Sequence, residues 1–332
     1  MTEAVDKVIL KILTVNTTDV TLQSEPHFKE NDKVVQPGPS AMNCLAEHGL
    51  AIAITIYENE YGMKYQYLFD MGGLNATIIN NLKVFKIDPH DFERIFISHG
   101  HYDHWGGIIP LSKLLAPKTE FLMSPDIYCP RFSLSKELTG TDIDLSKLDF
   151  EKLKKEQKIR ELPRFPEKKF RVLAMQNTFD LKFINEAVMI APGIFLSGPI
   201  KLYNTDEVTK GMLILKDGKM VRDTFRDELA LYINVRNKGL IVLTGCGHTG
   251  VLNTIQHGQE ITGVQKIYAI IGGLHQNWTT QDQMRITLEN LKELNPEIIC
   301  GIHCTGFKFM AESMQQMPLK TALAVVGTTF NL

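Results

Sequence analysis

The residues of this chain that are best suited to chemistry lie in one ten-residue stretch, Ser98–Gly107, with the sequence SHGHYDHWGG. It contains three histidines, His99, His101 and His104, together with Asp103. Imidazole and carboxylate groups are ligands that zinc, iron and manganese take in proteins. A single histidine would be interpreted as part of a polar surface loop. Three histidines and an aspartate at this spacing predict a metal site instead.

An apolar run, Arg94–Ile97, comes directly before this stretch and contains neither glycine nor proline. Its β-branched and aromatic residues predict a short buried strand, and the glycines that follow predict a tight loop. His99 and His101 should point to the same side while the backbone is still extended, because side chains two residues apart share one face of a strand. Asp103 and His104 are then free to aim at a second point nearby.

Three more apolar runs each end in a short loop of small residues that carries a histidine. These runs and their histidines are Leu240–Thr244 with His248, Ile267–Ile271 with His275, and Ile298–Ile302 with His303. Active sites of layered α/β proteins are assembled from loops at one edge of a sheet. Any one of these histidines alone would be interpreted as structural, but four such loops together predict metal ligation. His27, His90 and His257 lack this context and are expected to be exposed.

Composition and charge narrow the range of partners. Of the 332 residues, 44% are hydrophobic and 22% are charged, and the formal net charge is −2. These values are ordinary for a soluble globular protein, and without long runs of one sign we expect no nucleic-acid or membrane-surface partner. A small-molecule substrate is the expected partner, and nothing in the sequence indicates an oligomeric state.

The location is predicted from apolar stretches and cysteines. No apolar stretch is long enough to span a bilayer, and the N-terminus lacks the features of a secretory signal. The five cysteines are scattered and odd in number, which predicts free thiols in a reducing compartment. We therefore expect a cytoplasmic protein.

The order of the predicted elements indicates an α/β fold. In each half of the chain, apolar runs separated by turns are accompanied by segments with helical spacing, such as Thr77–Phe85 and Asp282–Leu294. This pattern predicts two mixed sheets packed face to face with helices outside, an αββα sandwich, as a single domain over residues 1–332. Residues 125–170 are rich in charge and proline, which predicts an insertion of short helices that is either a lid on the active site or a solvated decoration.

The motif His-x-His-x-Asp-His after a buried strand resembles the signature of the metallo-β-lactamase-fold hydrolases. Further elements occur in the order found in one branch of that superfamily, the 7,8-dihydropterin-6-methyl-4-(β-D-ribofuranosyl)aminobenzene-5′-phosphate synthases with their uncharacterised metal-dependent hydrolase relatives. These elements are AEHGL at 46–50, FDMGG at 69–73, SGPI at 197–200, DE at 227–228, TGCGHTG at 244–250, IGGLH at 271–275 and HCTG at 303–306.

The resemblance implies a dinuclear centre, with zinc expected and iron or manganese as alternatives. It assigns one ion to His99, His101 and His248, and a second to Asp103, His104 and His303. It also implies that Asp70 supports the ligands from behind. The chain departs from the superfamily at Cys246, where many members have an aspartate that bridges the two ions. The Cys246 thiolate is therefore either a ligand or a bystander that fills space.

Such a centre predicts a hydrolase that activates water against an ester or phosphoester, with Asp103 as the nearest candidate for a general base. One alternative is a transferase that condenses a pterin diphosphate with a ribofuranosylaminobenzene phosphate. Another is a catalytically idle protein that binds a ligand. His48 and His275 are candidates for substrate contact, and His275 also for a role in catalysis, with a structural role open for both.

Overall fold

The structure is a computed structural model that describes residues 3–29, 33–58, 62–139, 145 and 149–332. These residues form eighteen strands and nine α-helices. The strands are β1 (Lys7–Thr14), β2 (Val34–Val35), β3 (Ala51–Glu58), β4 (Met63–Phe69), β5 (Arg94–Phe96), β6 (Glu120–Met123), β7 (Arg131–Leu134), β8 (Ile159–Glu161), β9 (Asp180–Phe183), β10 (Val188–Ala191), β11 (Ile194–Leu196), β12 (Met212–Lys216), β13 (Lys219–Arg222), β14 (Leu231–Val235), β15 (Gly239–Thr244), β16 (Ile267–Gly273), β17 (Ile298–Ile302) and β18 (Thr329–Asn331). The helices are α1 (Pro26–Lys29), α2 (Thr77–Val84), α3 (Tyr102–Trp105), α4 (Ile108–Leu111), α5 (Phe150–Lys155), α6 (Glu167–Asn177), α7 (Val251–Thr262), α8 (Gln281–Leu294) and α9 (Phe307–Gln316).

Two large mixed sheets lie face to face. The first has eight strands in the order β2-β18-β1-β3-β4-β5-β6-β9, and the second has six in the order β10-β11-β14-β15-β16-β17. Strands β4, β5, β6 and β9 are parallel to one another in the first sheet, as are β15, β16 and β17 in the second. The α/β class and the αββα sandwich predicted from the sequence are therefore confirmed.

The side chains of each central strand alternate between two apolar layers. In β15, Ile241 and Leu243 point into the core between the sheets, whereas Leu240 and Val242 point towards helices α7, α8 and α9. Helices α2, α4 and α6 cover the opposite face of the first sheet in the same way. Because both faces are buried, these strands appear in the sequence as continuous apolar runs.

A third sheet, with the order β13-β12-β7-β8, lies outside the sandwich. The segment 125–170 contributes two of its strands, β7 and β8, in addition to α5 and the start of α6. Residues 140–144 and 146–148 lie outside the described part of the chain, and the sequence predicted the helices of this insertion but not its two strands. The reason is that Phe132 is buried with Leu213 of β12 and Ile159 of β8, in a small apolar cluster that only distant strands complete.

Buried ion pairs join this third sheet to the histidine-rich loop. Arg131, in β7, is 3% exposed. Its Nη2 lies 2.6 Å from Asp227 Oδ2, and its Nε lies 3.2 Å from Asp223 Oδ2. The backbone N–H of Gly100 donates to the same Asp227 oxygen at 2.7 Å. A Cβ on Gly100 would lie 2.2 Å from Arg131 Nη1, so only glycine allows the guanidinium to approach the loop this closely.

Two further findings concern the cysteines and the helices. All five cysteines are free thiols, as the sequence predicted. None of the helices in the described ranges combines the length and the apolar character that crossing a membrane would need.

We predict that Arg131→Met lowers the free energy of unfolding by about 3–5 kcal/mol, because it leaves two buried carboxylates without their cation. Urea denaturation measures this loss. The matched control is Arg285→Met, which removes an exposed ion pair with Glu289 on α8 and should cost about 0.3–0.5 kcal/mol. Equal losses in the two variants would contradict a structural role for the buried cluster.

Candidate metal centre

The predicted site residues gather at one edge of the sandwich. The carboxyl ends of the parallel strands β4 and β5 meet those of β15, β16 and β17 there. The loops after these strands carry Asp70, His99, Cys246, His275 and His303. The topology therefore explains how histidines that are far apart in sequence come together.

Three residues of this edge have a left-handed backbone. The φ angles are 59° at Asp70, 46° at His275 and 55° at His303. Residues other than glycine adopt this region rarely, and each instance costs on the order of 1–3 kcal/mol. The packed strands behind them maintain this conformation, and such strain is concentrated at functional sites.

The first cluster consists of three buried histidines, His99, His101 and His248. Both His99 Nε2 and His248 Nε2 lie 3.1 Å from His101 Nδ1. On the far side of their rings, His99 Nδ1 lies 3.0 Å from Ser98 Oγ, and His248 Nδ1 lies 3.2 Å from Thr209 Oγ1. When these Nδ1–H groups donate to the two hydroxyls, the nitrogens that face each other present lone pairs to one point. A divalent ion fits this donor set.

The second cluster consists of Asp103, His303 and His48. Asn16 Oδ1 is an acceptor that lies 3.1 Å from His303 Nδ1, so this nitrogen carries the proton and His303 Nε2 carries a lone pair. The buried Nε2 has no hydrogen bond among the described residues, and it lies 3.2 Å from Asp103 Oδ2. His48 Nε2 lies 3.1 Å from the same oxygen, with a side chain that is 57% exposed. The two imidazole nitrogens and the carboxylate oxygen thus lie close together, and imidazole and carboxylate form a donor set that a divalent ion would fit.

Cys246 lies between these two clusters. Its Sγ is 3.1 Å from His104 Nε2. The thiol belongs to one triad with His99 and His104, and to another with His303 and Cys304, and within each triad the ligand atoms lie within 4.8 Å of one another. It therefore approaches ligands of both proposed ions.

Asp70 holds the histidine loop from behind. Its carboxylate accepts hydrogen bonds from the Ser98 backbone N–H at 2.7 Å and from Ser98 Oγ at 2.8 Å. Asp70 Oδ2 also lies 2.6 Å from His104 Nδ1. A carboxylate that receives the second N–H of a histidine fixes its tautomer and its direction, here with Nε2 towards Cys246. A Cβ on Gly245 would lie 2.1 Å from Ser98 Oγ, so the end of β15 can come this close to Ser98 only with a glycine at position 245.

Two adjacent acids, Asp227 and Glu228, each hold one ligand loop. Asp227 accepts the Gly100 N–H described above, between the first two histidines. Glu228 accepts the backbone N–H groups of His248 at 2.8 Å and Thr249 at 2.7 Å. This pair is one of the elements that carry the family resemblance. No role was predicted for it, because no neighbouring residue in the sequence connects it to either loop.

Electrostatics keep most of the imidazoles neutral. Burial, reinforced by the neighbouring histidines, holds the pKa values of His99 and His248 well below their usual range, and burial lowers the pKa of His101 to about 3. Neutral imidazole is the form that binds metal. Burial also lowers the pKa of His104, but the Asp70 charge and hydrogen bond outweigh it and raise that pKa to about 9.

Asp103 is held in its charged form. Burial raises the pKa of its carboxyl, but the contacts with His303 and His48 and the charge of His104 outweigh this effect and hold the pKa well below its usual range. An ionised carboxylate beside a neutral imidazole is a suitable donor set for a divalent ion.

A cavity of about 700 Å³ opens in front of the ligand cluster. His275 lies in its wall, where burial lowers its pKa to about 4 and its Nδ1 lies 3.0 Å from Thr209 Oγ1. The third sheet contributes the opposite wall through Ser133 and the residues after it. The segment 125–170 thus forms part of the cavity wall.

The structure brings the ten residues singled out by the sequence to this edge: His48, Asp70, His99, His101, Asp103, His104, Cys246, His248, His275 and His303. One grouping differs from the prediction. Among the described residues, Asp103, His104 and His303 do not form one close triad, because His104 points to Cys246 while His303 points to Asp103. His257 was expected to be exposed, but it is buried on the inner side of α7.

Asn16, Thr209 and Cys304 were not predicted as parts of the site. Asn16 and Thr209 set the tautomers of His303 and His248, and both lie in polar loops without a motif. Cys304 directly follows His303 in the sequence, and this position next to a predicted ligand could have indicated that it belongs to the site.

Two proteins of known sequence are similar to this chain over most of its length. The chain is 32% identical over 275 residues to the 7,8-dihydropterin-6-methyl-4-(β-D-ribofuranosyl)-aminobenzene-5′-phosphate synthase of Methanocaldococcus jannaschii, an alignment that covers 81% of this chain and 84% of that protein. It is 24% identical over 283 residues to an uncharacterised protein of the same organism, covering 85% and 93% of the two chains.

The fold is also similar to that of a solved structure described as a metal-dependent hydrolase of the β-lactamase superfamily. The TM-score is 0.69 at 20% identity, and the superposition covers 98% of this chain and 99% of that chain. No protein-family model matches the sequence.

We predict that His101→Ala and His303→Ala each lower the metal content by up to one ion per chain, because each removes a donor from a different cluster. Elemental analysis of the purified variants measures this, with thermal unfolding as a check that the fold persists. His90→Ala, at an exposed histidine paired with Asp88, is the matched control and should keep the metal content of the unmodified protein. Full occupancy in either test variant would show that its histidine is not a ligand.

Proposed function

Because this chain belongs to the metallo-β-lactamase-fold family that includes the M. jannaschii synthase, we propose that it is a metal-dependent enzyme with two divalent ions, zinc being the first expectation. His99, His101 and His248 hold the first ion. Asp103, His303 and Cys246 would hold the second, and His104 would approach it from the side of Cys246. The observation that carries this proposal is the lone pair of His303 facing the Asp103 carboxylate, across the cavity floor from the three converging nitrogens of the first cluster.

Two such ions, when bound, would polarise water or ester oxygens and neutralise the charge of a phosphate leaving group. The protein's own part is to orient the ligands and to move a proton. His48 is exposed to the cavity and lies 3.1 Å from Asp103, so it is the side chain best able to accept a proton from the attacking group.

The cavity wall favours a substrate that is both anionic and planar. Lys136 and Lys210 line it, and no carboxylate of the described residues pairs with either ammonium group. Trp278 also lines the cavity with 65% of its surface exposed, and Lys136 Nζ lies 5.6 Å from the centre of its ring. A ring that stacks on Trp278 would bring an attached phosphate close to Lys136.

We propose a transferase reaction as the first candidate, since the relative that shares 32% of its residues is named a synthase. In this reaction the amino group of a ribofuranosylaminobenzene phosphate attacks the methylene carbon of a pterin diphosphate. The carbon–oxygen bond to the diphosphate breaks, and His48 takes the amine proton. Hydrolysis is the second candidate, supported by an open cavity in which water can reach His48 and Asp103. An idle binding protein fits less well, because possible metal ligands converge on both sides of Cys246.

One assay separates the two reactions. We predict that the metal-loaded protein releases diphosphate from a 6-hydroxymethyl-7,8-dihydropterin diphosphate only when the ribofuranosylaminobenzene phosphate is present. Mass spectrometry should then detect the coupled product. Release at the same rate without acceptor would favour hydrolysis. No release under either condition, with both ions bound, would contradict both candidates for this substrate.

Lys136→Ala serves as the substrate-binding control in this assay. It should raise KM for the phosphorylated substrate by roughly tenfold, the loss of about 1.4 kcal/mol of charge-assisted contact, with metal content unchanged. Lys308→Ala is the matched lysine outside the cavity, where the ammonium contacts Gln281, and it should leave KM unchanged.

A further inference from the structure

We propose that Cys304 acts with Cys246 to give the second metal position a pair of thiolate ligands, so that this position prefers zinc or ferrous iron to manganese or magnesium. This inference rests on the proposed metal centre and concerns which residues complete it. Cys304 has no assigned role in the motifs that carry the family resemblance.

The positions of the sulfur atoms carry the inference. The ligand atoms of Cys246, His303 and Cys304 all lie within 4.8 Å of one another. Cys246 is 2% exposed and Cys304 is half-buried in the cavity wall, so both thiols border the space in front of His303. Two sulfurs and an imidazole nitrogen at this separation form three corners of a site that suits zinc.

The backbone between the two cysteines is shaped to let them meet. They follow β15 and β17, and the strand between these two is β16, which ends at Gly273. A Cβ on Gly273 would lie 2.8 Å from Cys304 Sγ and 2.9 Å from Cys246 Cα. Any larger residue at the end of β16 would therefore push the two cysteines apart.

Cys246 also approaches the first cluster, because it shares a triad with His99 and His104. Cys246 would therefore be available as a ligand on both sides, whereas Cys304 would be available only beside His303. A bridging carboxylate is a hard donor that accepts manganese or magnesium, whereas thiolates select softer ions. The exchange of aspartate for cysteine at 246 therefore changes the metal preference, and Cys304 reinforces that change.

A structural role for Cys304 is the competing explanation. Its Sγ lies 3.3 Å from the Cys246 carbonyl oxygen and can donate a weak hydrogen bond to it. In that case a serine at 304 would keep the bond and leave the metal site unaltered. The two explanations therefore differ in what Cys304→Ser does to a metal–sulfur signal.

The test is the absorption spectrum of the full-length protein loaded with cobalt(II). Thiolate ligands give a sulfur-to-cobalt charge-transfer band in the near ultraviolet. We expect the band in the unmodified protein, a partial loss in Cys304→Ser and a larger loss in Cys246→Ser. Cys129→Ser is the matched control, because this thiol lies outside the cluster, and its band should be unchanged.

Each outcome bears on a different claim. An unchanged band in Cys304→Ser with full cobalt content would overturn the role of Cys304 and leave the metal centre intact. Binding of two cobalt ions without any such band would exclude both thiolates as ligands. Failure to bind cobalt at all would contradict the metal centre and this inference together.

A second measurement uses only the unmodified protein, in case the variants fold poorly. Zinc K-edge X-ray absorption of the zinc-loaded chain should show a sulfur shell at about 2.3 Å beside nitrogen and oxygen donors at about 2.0 Å. In a competition between zinc and manganese, zinc should also occupy the second position. A spectrum with nitrogen and oxygen donors alone would overturn the inference.

Discussion

The carboxylate of Asp70 is the group on which the arrangement of the site depends. It is fully buried at the end of β4, in a left-handed backbone conformation, and it accepts two hydrogen bonds from Ser98. Its contact with His104 Nδ1 turns the other nitrogen of that ring towards Cys246 on the opposite sheet. A buried carboxylate must be hydrogen-bonded or paired, so the loop can satisfy Asp70 only in this conformation. Through His104, Asp70 therefore connects the first sheet to Cys246 of the second.

Asp227 and Glu228 extend the same principle to the second sheet. Each accepts backbone N–H groups from a loop that carries histidines, and Asp227 is itself paired with Arg131 of the third sheet. Buried acidic side chains thus hold the backbone of the loops that carry the histidines. Such preorganisation limits the conformational entropy that metal binding must remove, and it leaves the imidazole lone pairs free. The third sheet connects the cavity wall to this framework through Arg131.

The local sequence predicted much of this site, because its ligands follow apolar strands and glycines in recognisable runs. His99, His101 and His248 lie together, in the grouping that the family resemblance implied. The pairing of Cys246 with His104 could not be predicted, because it depends on how the two sheets face each other. The third sheet was missed for a similar reason: β7 and β8 are short, and their apolar partners lie on β12, which is distant in sequence.

The central claim is that the two sheet edges together hold two metal ions, one on each side of Cys246. Anomalous X-ray diffraction at the zinc absorption edge, from crystals of the zinc-loaded protein, tests it most directly. The account predicts two peaks about 3.5–4 Å apart, one among His99, His101 and His248, and the other beside Cys246, Asp103 and His303. A single peak, or peaks outside this cluster, would contradict the account.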